Sequence, residues 1–91
     1  MNDRQSVVLK VAGGSNPHSV GGSIAKNIQE GKDVSVSAIG AGAVNQAMKA
    51  VAIARSFSAQ SGADLLVRVG FEDVIIDNEQ KTAMKFTIVV R

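Results

Sequence analysis

Residues 65–90 read LLVRVGFEDVIIDNEQKTAMKFTIVV, and the architecture turns on this stretch. Leu65, Val67, Val69 and Phe71 alternate with Leu66, Arg68 and Gly70, the period-two pattern of a long strand from Leu65 through Ile76. Met84, Phe86, Ile88 and Val90 mark one face of a final strand. Only the polar tetrad Asp77–Asn78–Glu79–Gln80 is left to turn the chain between them, too little to build a helix, so the two strands are expected to pair as an antiparallel hairpin. Gly70 inside the first of them predicts a bend or a close approach.

Upstream of the hairpin, strand and helix patterns alternate. Val7, Leu9 and Val11 share one face of a first strand and leave Val8 and Lys10 on the other. Gly13–Gly14–Ser15–Asn16–Pro17 then breaks the strand, with Asn16 suited to an N-cap and Pro17 to the first helical position. From His18 to Gln29 the recurrence of Val20, Ile24 and Ile28 predicts a short helix, stopped by Gly31. Gly21 and Gly22 weaken its propensity but permit close approach to a sheet or another subunit. Val34, Val36 and Ala38 alternate with Ser35, Ser37 and Ile39 in a second strand. The alanine-rich segment from Ala41 to Phe57 predicts the second helix, with Val44, Met48, Val51 and Ile53 on apolar arcs and Arg55 placed to complement its dipole. Ser58–Gly62 then releases the chain.

The resulting order, β-α-β-α-β-β, belongs to the α/β class. It predicts a two-layer domain, with two helices over one face of a mixed four-stranded sheet whose first pair is parallel and whose last is antiparallel. A ferredoxin-like arrangement fits less well, because it requires a helix between the third and fourth strands. Ninety-one residues suit one core, and area scaling gives burial of about 60–65% of the unfolded chain's surface. One domain over residues 1–91 is expected, with residues 1–5 fraying at the start. So modest a core makes self-association a reasonable expectation.

Composition narrows the chemistry. The chain has no cysteine, which removes disulfides, thiol nucleophiles and thiolate metal sites. After Met1 it reads Asn2, Asp3, Arg4 and Gln5 without a sustained apolar run, and no segment has the length of a membrane span, so a cytoplasmic location is the expectation. Ten Lys/Arg against eight Asp/Glu give a formal charge of only +2 and no linear basic stripe, so any polyanion-binding face must be assembled by folding or association.

Several groups carry two readings each. Gly13–Gly14–Ser15, between a strand and a helix, is either turn geometry alone or an anion contact through exposed amides; it lacks the Walker ending and the dinucleotide glycine spacing. Gly40–Ala41–Gly42 is either helix entry and close packing or the same kind of contact. His18, the only histidine, either serves the helix start or touches a polar ligand, and no triad or histidine pair can be built on it. Glu72, Asp73, Asp77 and Glu79 surround the hairpin and are read as a solvated rim rather than a metal site. No catalytic residue, metal ligand or cofactor is assigned. Lys10, Arg68 and Lys85 fall on strand positions opposite the main apolar stripes. They either solvate the open face or form an electropositive surface for phosphate, joined by Lys49 or Arg55 where oligomer geometry permits.

Across the second helix, Ile39–Gly40–Ala41–Gly42–Ala43–Val44–Asn45–Gln46–Ala47–Met48–Lys49–Ala50–Val51–Ala52–Ile53–Ala54–Arg55 closely resembles the central signature of the bacterial stage V sporulation protein S family. The similarity runs from Leu9–Lys10–Val11 through Ser15–Asn16–Pro17 and Ser19–Val20–Gly22 to Lys81–Thr82–Ala83–Met84–Lys85. This family looks like the Alba group, small dimeric DNA- or RNA-binding proteins of β-α-β-α-β-β order. The resemblance implies a non-enzymatic regulatory or architectural protein, in nucleoid organisation or developmental regulation including sporulation. Its expected partners are a second copy or a higher homo-oligomer, and DNA or RNA backbones bound with little base selectivity through Lys10, Gly13, Gly14, Ser15, Asn16, His18, Lys49, Arg55, Arg68 and Lys85. The alternative is a regulatory protein–protein module that does not bind nucleic acid. Gly14 stands where members of the group often carry lysine, and the acidic hairpin tip differs from their basic arms.

Overall fold

Alternation of apolar and polar residues makes six elements in the expected order in the computed structural model, which describes residues 4–91. They are β1 (Ser6–Val11), α1 (Pro17–Gln29), β2 (Asp33–Ala38), α2 (Ala41–Ala59), β3 (Leu65–Ile76) and β4 (Glu79–Val90). The strands form one mixed sheet in the order β1-β2-β4-β3. β1 and β2 are parallel, joined through α1, while β4 runs antiparallel to both β2 and β3. This is the Alba-like α/β arrangement. Of the five residues expected to fray, residues 1–3 lie outside the described residues; Arg4 pairs with Asp33 at 3.0 Å, and the Asp33 amide donates to the Gln5 carbonyl at 2.8 Å.

The core lies between the helices and one face of the sheet. Val11, Val34, Val36, Ala38, Leu65, Phe86 and Ile88 project from that face onto Ile24 of α1 and Ala43, Ala47, Ala50, Val51 and Ala54 of α2. Fully burying a side chain such as Ile24, Leu65 or Val36 stabilises the fold by about 1.5–3 kcal/mol each, an upper range because unfolded chains already bury some of it.

Start and stop signals at α1 act as expected. Asn16 Oδ1 accepts from the His18 and Ser19 amides at 2.8 and 3.2 Å, Pro17 opens the helix, and Gly31 follows the C-cap with φ +80°. The helix–helix contact is set by Gly21: a β-carbon there would lie 2.8 Å from Ile53 Cγ2 and 2.9 Å from the Ala50 carbonyl oxygen. Gly22 has no such neighbour.

Four expectations are corrected. The buried stripe of α2 is made mainly of alanines and takes in only Val51 of the four expected apolar residues, with Met48 exposed and Val44 and Ile53 half-buried, because close approach to α1 and the sheet favours small side chains. That helix continues to Ala59, so Arg55 lies more than a turn from its end and pairs with Asp64 at 2.9 Å instead of serving the terminus. The tetrad turn contracts to Asp77–Asn78, both at positive φ (53° and 63°), while Glu79 and Gln80 already pair in β4. Such a two-residue turn matches the twist of paired strands, and Asp and Asn tolerate the left-handed region. Ser35 and Ser37, on the face opposite Val34, Val36 and Ala38, are buried as well, since β2 is enclosed between β1 and β4. Finally, Gly70 makes no close approach, and Val69 and Phe71 stay exposed on the helix side because β3 is the sheet edge and its outer half runs past the helices.

Candidate functional site

Residues that alternate away from the core line the open face of the sheet, and the register fixes who sits beside whom. Lys10, Ser37, Lys85 and Gly70 form one row across the four strands; Val8, Ser35, Thr87 and Arg68 form the next. Adjacent strands lie about 4.8 Å apart, so the backbones of Lys10 and Lys85 are roughly 10 Å apart. Arg68 stands diagonally across β3 and β4 from Lys85, about 7–8 Å away. Folding therefore brings the three scattered cations onto one surface, with the small side chains of Ser35 and Ser37 as a low floor between them.

Electrostatically the three are not equivalent. Lys85 Nζ lies 3.5 Å from Glu72 Oε2, each side chain a little over one-third exposed, so its charge is partly matched. Lys10 and Arg68 are exposed and make no ion pair among the described residues. Sequence reading placed Glu72 only on a hairpin rim. Its even number on β3, shared with Arg68 and Gly70, was the available signal that it faces the same way as those residues.

The distal part of the β3–β4 hairpin extends beyond the last β2 pairing, Ala38 with Met84. Val74, Ile75 and Ile76 there meet Lys10, Ser37 and Ile39 around a cavity of about 190 Å³. The hairpin thus leans over one corner of the open face, beside Lys10.

The two glycine loops come together at this same end of the sheet. A β-carbon on Gly42 would lie 3.7 Å from Gly13 Cα, and Gln46 Nε2 donates to the Ser15 carbonyl at 2.8 Å. Within the first loop, the Ala12 amide donates to Ser15 Oγ at 2.9 Å and the Ser15 amide to the Ala12 carbonyl at 3.1 Å. With Asn16 holding the His18 and Ser19 amides, the Ser15 hydroxyl, the Asn16 side chain and the His18 amide serve turn and cap geometry, while the exposed His18 side chain and the Gly13 and Gly14 amides are left to meet a ligand. At the second loop Gly40 is an N-cap with φ +89° and no side chain to bind the first amides of α2. Neither helix has an acid in its first turn.

Lys49 and Arg55 lie on α2, in the layer across the sheet from Lys10, Arg68 and Lys85, so one protomer does not bring the ten candidates into a single patch. The hairpin acids separate as well. Glu72 faces Lys85, Asp73 on the opposite face accepts from Thr82 Oγ1 at 3.3 Å, and Asp77 lies in the turn. Among the described residues no group of three or more His, Asp or Glu side chains converges as metal ligands, and no helix is long and apolar enough to cross a membrane.

Compared with known families, residues 7–91 match the family model described as Stage V sporulation protein S (SpoVS). The match takes in every strand and helix described above, from the second residue of β1 onward.

Proposed function

The chain belongs to the stage V sporulation protein S family, which implies a sporulation-related regulatory protein and is not a known enzyme family, and from that premise we propose that it acts by binding the backbone of DNA or RNA as a homodimer. The observation that carries this reading is the open sheet face, where Lys10, Lys85 and Arg68 occupy adjacent cross-strand rows in a chain whose formal net charge is only +2. Cations on a sheet recognise phosphates by charge and spacing, which gives affinity without base selectivity. The Gly13–Gly14 and Gly40–Gly42 loops at the adjoining end contribute backbone amides, and Lys49 extends the contact on the helix side where a second copy brings it near. Arg55, held by Asp64, contributes least.

Salt dependence is the test. Each cation that contacts a phosphate contributes about 0.9 to the slope of log affinity against log salt on duplex DNA, so the Lys10→Ala, Arg68→Ala, Lys85→Ala triple variant is expected to lose roughly 2.7 in slope per protomer engaged. Titrations of nucleic-acid-free protein against duplex DNA and single-stranded RNA at several salt concentrations read this directly. Unchanged slope and affinity in the triple variant would remove the surface. Failure of the unaltered protein to bind either polymer at low salt would favour the other reading, a protein–protein module, for which the exposed apolar side chains of β3 speak.

A further inference from the structure

We propose that the outer edge of β3 is the surface on which two copies of this chain join, running antiparallel about a two-fold axis through Gly70 and merging their sheets into one of eight strands. The proposal rests on the homodimeric reading above and assigns its surface.

Strand order leaves two sheet edges, β1 and β3. β1 is six residues long; β3 has twelve, bonded on one side to β4 and offering its remaining backbone amides and carbonyls on the other. Free edges are usually guarded by brevity, proline or charged side chains, lysine above all. Leu65–Ile76 is long and has neither proline nor lysine; its charges are Arg68 and Glu72 on the open face and Asp73 on the other. It also exposes large apolar side chains: Val69 is 57%, Phe71 78% and Ile75 76% accessible.

The order of residues along this edge sets a register. A two-fold axis perpendicular to the sheet keeps each copy's open face on the same side, so every residue pairs with one of equal parity. Centred on Gly70, the pairing sets Arg68 of each copy opposite Glu72 of the other, Val69 opposite Phe71, Leu65 opposite Ile75 and Leu66 opposite Val74. Charge meets opposite charge twice, and an aromatic meets a β-branched residue twice, both favourable cross-strand combinations. Other centres lose this. An axis through Arg68 or Glu72 sets like charge against itself, and one through Val69 or Phe71 places Arg68 opposite Gly70 or Val74. Glu72 meets Lys85 through Oε2, leaving Oε1 to accept from an incoming guanidinium. Gly70 itself has no steric explanation within one copy, since a β-carbon there would meet nothing within 4 Å. In the joined sheet the Lys10 and Lys85 side chains of both copies face the same way, doubling those two cations, while each Arg68 pairs with Glu72 through part of its five-donor guanidinium and keeps its other N–H groups for phosphate.

The absence of cysteine makes the axis testable by single substitutions. In Gly70→Cys the two new thiols belong to a direct cross-strand pair, with α-carbons about 4.5–5.5 Å apart, inside the span of a disulfide. In Asp73→Cys the two equivalent positions are displaced by six residues, roughly 20 Å. The unaltered protein, freed of nucleic acid, is expected to show a dimer mass in solution. Under mild oxidation Gly70→Cys should become a covalent dimer while Asp73→Cys remains uncrosslinked. Arg68→Glu and Glu72→Arg alone should each raise the dimer dissociation constant about tenfold, and the double exchange should restore it, because it rebuilds both pairs with reversed sign. A dimer in which Gly70→Cys does not crosslink, or Asp73→Cys crosslinks equally well, overturns the edge while leaving the homodimeric reading intact. A monomer mass at all concentrations overturns both.

Discussion

Single residues show where small size is required and where it is incidental. Gly21 and Gly22 are adjacent in α1, yet only Gly21 faces α2, with 2.8 Å to Ile53 Cγ2 and 2.9 Å to a backbone oxygen. Gly21→Ala must push the helices apart. That overpacking is expected to cost about 1–3 kcal/mol, against roughly 1 kcal/mol regained in helix propensity. Gly22→Ala meets nothing within 4 Å and should raise stability by about 0.5–1 kcal/mol. Urea midpoints of the two variants measured side by side check both, and equal shifts would contradict the packing. The pair Gly21–Gly22 was legible as a close-approach signal, but which glycine bears the contact depends on where α2 crosses.

At the scale of elements, local signals were mostly sufficient. Asn16, Pro17 and Gly31 announce both ends of α1, and the structure places them at the N-cap, the first helical position and just past the C-cap. Asn16→Ala removes the acceptor of two amides and is expected to destabilise the protein by about 1 kcal/mol, read from thermal or urea unfolding. A loss well below this would mean that water replaces the cap without cost. In α2 the legible part was the helix itself, and the illegible part its orientation. Alanines lie all around it, and the apolar arc of Val44, Met48, Val51 and Ile53 outweighs them on any hydrophobicity count. Of that arc only Val51 is fully buried, beside Ala43, Ala47, Ala50 and Ala54, because the spacing to α1 selects for small volume over hydrophobicity.

Across the whole molecule, burial is uneven. All of Val34–Ala38 in β2 is buried, and Ser35–Ala38 pair with a strand on each side, whereas Glu79–Thr82 in the hairpin lie exposed beyond the reach of β2. Amide exchange is therefore expected to be slowest in β2, at the rate set by global unfolding, and at least tenfold faster in residues 79–82 through local opening. Uniform protection of the two would show that the hairpin is held by more than its own pairing. By itself, the sequence determined the order of elements, the parallel pairing of β1 with β2, the antiparallel β3–β4 hairpin and the boundaries of α1, because period, capping chemistry and loop length are local properties. It also placed Lys10, Arg68 and Lys85 on the non-core side of their strands, since parity along a strand is local too. Only the tertiary structure decided that these three share neighbouring rows, that Glu72 stands among them while Lys49 and Arg55 lie in the other layer, and that β3 is an edge. Those facts follow from strand order and register, which arise when distant segments pack together and are written in no single stretch of the chain.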